Sequence, residues 1–66
     1  MQFYGTTHLP RDNVQPGMLV RHKGRTWRAS ANVMQGLYLD SLAVKTRVTD
    51  ELIEVCLDHR GQPATH

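Results

Sequence analysis

An all-β domain, a small and partly open antiparallel barrel of five short strands, is the fold this sequence predicts. Three observations carry it. Apolar and polar residues alternate with period 2 through most of residues 14–59, the periodicity of half-buried strands. Glycine-bearing turns separate the alternating runs at close intervals. Two of those runs, around Lys23 and Gly24, have lengths and parity that fit one hairpin register.

Residues 1–13 include Phe3 and Tyr4, then a polar stretch ending in Pro10, Arg11, Asp12 and Asn13. They are read as an N-terminal arm or an edge strand. Pro16 and Gly17 suit the central positions of a type II turn, so the barrel is placed at residues 14–59. Residues 18–22 and 25–31 flank Lys23 and Gly24 as a tight hairpin. Its register sets Val20 against Trp27, Met18 against Ala29, Leu19 against Arg28 and Arg21 against Thr26. Met18, Val20, Trp27, Ala29, Ala31 and Val33 then fall inside. Arg21, Thr26, Arg28, Ser30 and Asn32 fall outside, with Leu19 the apolar exception.

A three-residue turn at Met34, Gln35 and Gly36, with Gly36 as a G1 bulge, pairs Val33 with Leu37 and Ala31 with Leu39. That keeps both leucines inside and turns Tyr38 and Asp40 outward, opposite Asn32 and Ser30. Residues 41–43 form a corner or a turn of 3-10 helix. Val44, Thr46 and Val48 alternate with Lys45 and Arg47, then Ile53, Val55 and Leu57 with Glu54, Cys56 and Asp58. A four-residue loop at 49–52 joins these runs as a hairpin, with Val48 opposite Ile53 and Arg47 opposite Glu54. The alternative is an α+β fold with a short helix at about 50–57, capped by Asp50; the β-branched Ile53 and Val55 favour strand. Residues 60–66 hold no core residue and read as a flexible tail.

Residues 16–39 resemble SH3-like barrels of the kind found in transposase C-terminal and KOW-type modules. The resemblance lies in Pro16-Gly17-x-x-Val20, Gly24, a strand bearing Trp27, then Gly36 and Leu39. It implies a shape, an SH3-like barrel curled to bury one sheet face.

Composition narrows the function. The chain has 66 residues, so it forms one domain. Its single cysteine, Cys56, excludes an internal disulfide, and a cytoplasmic setting is the expectation. Small cores often lean on a partner subunit, which brings a homodimer into view, and Leu19 with Cys56 on otherwise polar faces is the expected contact.

The net charge is +2 but unevenly spread. Residues 1–39 carry Arg11, Arg21, Lys23, Arg25 and Arg28 against Asp12 alone. Residues 40–66 carry Lys45, Arg47 and Arg60 against Asp40, Asp50, Glu51, Glu54 and Asp58. Arg21, Lys23, Arg25 and Arg28 with Tyr38 thus form a candidate nucleic-acid-binding surface. The cations would meet phosphate and the phenol ring would meet a base. The opposing expectation is a solvated sheet face whose arginines pair with Asp40 and other acids. A second function is a protein-interaction or regulatory module acting through a barrel groove or strand edge. Cys56 and His59 make a lone C-x-x-H fragment, short of the two close-spaced pairs of a structural zinc site. No catalytic constellation or cofactor motif is visible, and the expectation is not an enzyme.

Overall fold

The structure, a computed structural model, describes residues 4–65. Residues 1–3 of the expected arm and His66 of the expected tail lie outside the described residues. Among the described residues, six strands form one antiparallel sheet: β1 (Thr6–Pro10), β2 (Leu19–His22), β3 (Arg25–Val33), β4 (Gly36–Ser41), β5 (Val44–Val48) and β6 (Leu52–Cys56). A turn of 3-10 helix (Arg11–Asn13) follows β1. The strand order is β1-β6-β2-β3-β4-β5. The sheet curls on itself and stays open between its end strands, giving an all-β, partly open barrel.

The core is one cluster drawn from both ends of the sheet: Val14, Val20, Trp27, Ala29, Leu37, Leu39, Val48, Ile53 and Val55. Burying such apolar side chains is the main favourable term in folding. Trp27 is inside as expected, and its indole N–H donates to the His22 carbonyl at 3.0 Å. That bond satisfies the one polar atom a buried tryptophan carries.

The β2–β3 hairpin has the expected register, Val20 with Trp27 and Arg21 with Thr26. Its turn holds Lys23 and Gly24 at φ 52° and 76°, the paired positive values of a type I′ turn. Residues 42 and 43 form a further tight turn rather than 3-10 helix, with Ser41 opposite Val44 and Leu42 at φ 54°.

Four expectations are corrected. First, the extra residue of the β3–β4 hairpin lies at Ser30 and not at the turn. Val33 pairs with Gly36, Asn32 with Leu37 and Ala31 with Tyr38; past a bulge, Ala29 pairs with Leu39 and Arg28 with Asp40. One unpaired residue reverses the facing of all that follows it. The leucines stay inside, but Val33 turns out to solvent and Asn32 turns in. The Asn32 amide donates to the Arg11 and Val14 carbonyls, and its oxygen accepts from the Arg11 guanidinium at 3.0 Å.

Second, β6 pairs with β1 and β2 and not with β5, so Arg47 does not face Glu54. In this position β6 covers the edge of β2 and lays Val55 beside Val20. A β5–β6 hairpin would leave that edge open and Val20 without Val55 beside it. The segment is strand, so the helix at 50–57 does not form, and the arm supplies β1 as a sixth strand.

Third, residues 60–66 were expected to hold no core residue, yet Ala64 is buried. The Leu19 N–H donates to its carbonyl at 2.9 Å, and its N–H donates to Cys56 at 2.8 Å. Fourth, Leu19 and Cys56 do meet on the outer face, but their cover is Ala64 of the same chain. A second copy is not needed to bury them.

Candidate interaction surface

Two surfaces hold the chemistry that the core does not use. One is the outer face of β2–β5; the other is the free edge of β5.

On the outer face the register makes Arg21 and Arg28 diagonal neighbours, as expected. Both have a carboxylate beside them. Arg28 pairs with Asp40 at 3.7 Å, and Arg21 lies opposite Glu54 of β6. An exposed pair of this kind adds only about 0–1 kcal/mol, yet it lowers the positive potential that a phosphate would meet. Glu54 also accepts a hydrogen bond from the Thr6 hydroxyl at 2.7 Å. Arg25, opposite His22, has the inner-face parity of Trp27 and sets its guanidinium over that ring, 5.7 Å from the centroid, so it does not join Arg21 and Arg28 on the outer face. Lys23 is exposed at the hairpin tip.

Tyr38 is exposed on the same face, directly across from Arg47 of β5. Lys45 lies across from Asp40 one pair further along. Lys45 and Arg47 therefore join the cationic surface, which the sequence reading missed. The missed signal was parity: both residues share a face with Tyr38 once β5 pairs with β4. Pairing β5 with β6 had spent Arg47 on Glu54.

The edge of β5 is the second feature. β5 is a terminal strand bonded on one side to β4. Among the described residues, its residues make no backbone hydrogen bond outside that ladder. A two-residue turn closes on a hydrogen-bonded pair, here Ser41 and Val44, and bonded pairs recur at every second residue. The peptide groups of Lys45 and Arg47 therefore point away from β4. Around this edge Leu42 is 99% exposed and Val44 46%. The opposite edge is blunter, because β1 ends in Pro10, which has no N–H.

A shallow cleft of about 40 Å³ is lined by Val20, His22, Leu39, Val48 and Ile53 among others. That volume holds a few waters at most and is too small for a ligand of ordinary size. Cys56 is fully buried. Burial raises its thiol pKa above the ordinary value, with Arg21 pulling it down and Glu54 pushing it up by lesser amounts. No group of three His, Cys, Asp or Glu side chains is arranged to hold a metal ion among the described residues. Nor is any helix there long and apolar enough to cross a membrane.

A curled antiparallel sheet of six short strands with an open edge and a mixed-charge outer face is a small SH3-type barrel. The particular family follows from the sequence. The model of the KilR SH3-type barrel domain matches residues 4–56, and the chain belongs to that family. The match covers all six strands and stops before the segment that carries Ala64. The SH3-like shape is thereby shown, under a family other than the transposase and KOW-type modules. No curated protein and no solved structure matches the chain.

Proposed function

We propose that this domain is a protein-interaction module that takes an extended segment of its partner along the free edge of β5. The observation that carries this reading is the outward row of peptide groups at Lys45 and Arg47, unbonded among the described residues. A strand added there gains main-chain hydrogen bonds and keeps its alternate side chains for recognition. Exposed Leu42 and Val44 beside the edge supply apolar contact.

The test is capture of a partner by immobilised domain from a lysate of the source cell. Lys45→Pro removes one outward N–H, whereas Lys45→Thr removes the charge and keeps the N–H. A partner held by wild type and by Lys45→Thr but lost on Lys45→Pro supports the edge. Equal capture by all three proteins refutes it.

Nucleic-acid binding is the second reading, favoured by the exposed Tyr38 ring directly across from Arg47. Arg21 and Arg28, with Lys23 at the hairpin tip, would contact phosphate together with Lys45 and Arg47, and Tyr38 would stack on a base. Such binding is mainly electrostatic and weakens steeply with salt. Titration with labelled single-stranded and duplex oligonucleotides at two salt concentrations tests it. Submicromolar, salt-sensitive binding abolished by Arg21→Glu with Arg28→Glu supports this reading, and no binding at low salt ends it.

A further inference from the structure

The proposed edge also carries information about what it would accept. We infer that the occupant is an extended, acidic partner segment in which Asp or Glu alternates with apolar residues; the inference rests on the strand-edge reading above. Residues opposite each other in an antiparallel pair share a face. Lys45 and Arg47 offer outward peptide groups and project exposed cationic side chains from the outer face. A strand docked antiparallel on β5 therefore sets two of its side chains, spaced two residues apart, beside those cations. Acidic side chains are favoured at both positions.

The intervening side chains of that strand point to the inner face. There they meet the inward set of β5: Val44, still 46% exposed, and Thr46, half-buried. That set shares its parity with Val48 of the core, so an apolar side chain there extends the existing core. Acidic residues at one parity and apolar residues at the other thus follow from the parity of β5 itself.

Charge also argues against a second copy of this chain on the same edge. An antiparallel pair of β5 strands would bring Lys45 and Arg47 of one copy against the same cations of the other. Like charges directly opposite are destabilising, and charged edge residues are a common device against self-pairing.

A fluorescein-labelled peptide alternating Val and Glu over six residues is the probe, read by anisotropy against the intact domain. It is made in three forms: unmodified, N-methylated at the Glu amides, and N-methylated at the Val amides. In the inferred antiparallel register the Glu amides face β5 and the Val amides face solvent. The unmodified and Val-methylated forms are expected to bind alike, and Glu methylation is expected to cost at least tenfold in affinity. Lys45→Glu with Arg47→Glu is expected to lose at least tenfold for this peptide and to gain as much for its Lys-for-Glu counterpart.

Equal affinity for both methylated forms overturns the inference, because attraction would then be charge alone. Failure of every peptide to bind overturns it too. A wild-type dimer in sedimentation that Lys45→Pro dissociates would make a second copy the occupant, and so would also overturn it. None of these outcomes touches the partner-capture result, so the edge reading and the acidic inference can fail separately.

Discussion

Asn32 ties the N-terminal segment to the barrel. Its amide serves the carbonyls of Arg11 and Val14, while Arg11 bonds back to Asn32 and, at 2.9 Å, to the Val33 carbonyl. Truncating one partner of this part-buried polar set removes its bonds to the others, at about 0.5–1.5 kcal/mol. Asn32→Ala and Asn32→Asp are both expected to destabilise by that amount in urea unfolding, since an ionised Asp cannot donate. Trp27→Ala, which empties the largest core position, is expected to cost about 3–5 kcal/mol, enough to unfold a domain this small. Gly36 sits at φ 148°, and a Cβ there would meet the Val48 carbonyl oxygen at 3.1 Å and the Arg47 side chain at 2.8 Å. The flexible Arg47 can move, but the Val48 backbone has less room to give. Gly36→Ala is therefore expected to destabilise by about 1–3 kcal/mol. Of these three residues, Trp27 was legible from strand parity alone. Asn32 was not, because its direction depends on a bulge whose position the residue types leave open.

Asp58 sets a pH dependence of known sign. The N–H groups of Gln62 and Arg60, at 3.0 and 2.9 Å, hold its carboxyl below the ordinary value, with Arg60 and His59 adding charge. A carboxyl depressed in the folded state stabilises above its unfolded pKa, and that stability is lost as pH falls through the folded value. Asp58→Asn is therefore expected to flatten the acid limb of stability below about pH 4, measured by thermal melts from pH 2 to 6.

At the scale of elements, the β2–β3 hairpin was legible because its two runs share one short turn and leave one register. Its weak point is Lys23 at φ 52°, a conformation that favours Asn or Gly. Lys23→Asn is expected to raise stability by about 0.5–1 kcal/mol in the same urea assay. The β3–β4 hairpin shows where such reasoning stops. A bulge at Gly36 and a bulge at Ser30 both keep Leu37 and Leu39 inside; they differ in the facing of residues 31–33 and in whether Ser30 or Arg28 lies across from Asp40. The geometry of β3 against the Arg11–Asn13 turn decides between them, and that contact is invisible to local pattern. The C-terminal segment was missed for a similar reason. A single alanine carries no hydrophobic period, yet Ala64 closes the cluster of Leu19 and Cys56. A chain ending at His59 is expected to expose Cys56, so a thiol reagent that reacts slowly with the 66-residue chain should react at least tenfold faster.

For the whole molecule, the all-β class and partly curled sheet were legible from periodicity and turn spacing. The strand order was not. Adjacent runs were assumed to pair, whereas β6 passes β5 by and settles between β1 and β2. That choice is made by closure of the barrel, a property of the complete sheet and of no single segment. It also decided the candidate surface, since freeing β5 from β6 is what opens an edge and moves Lys45 and Arg47 beside Tyr38.

The central place of β6 has a consequence for the newborn chain. Strands β2 to β5 form an up-and-down run whose pairings are all between neighbours, so each can zip as its turn closes. Residues 6–10 have no strand to pair with until residues 52–56 exist, and β2 keeps an open flank until then. Of these six strands, the last to leave the ribosome is thus the one that joins β1 to the rest. Closing so long a loop is slow relative to a local hairpin. Assembly is accordingly expected to follow synthesis of residues 52–56, with a half-built meander of four strands waiting beforehand. Chains arrested at residue 50 should stay protease-sensitive on the ribosome, and chains extended until residues 52–65 have cleared the exit should become resistant together along their whole length.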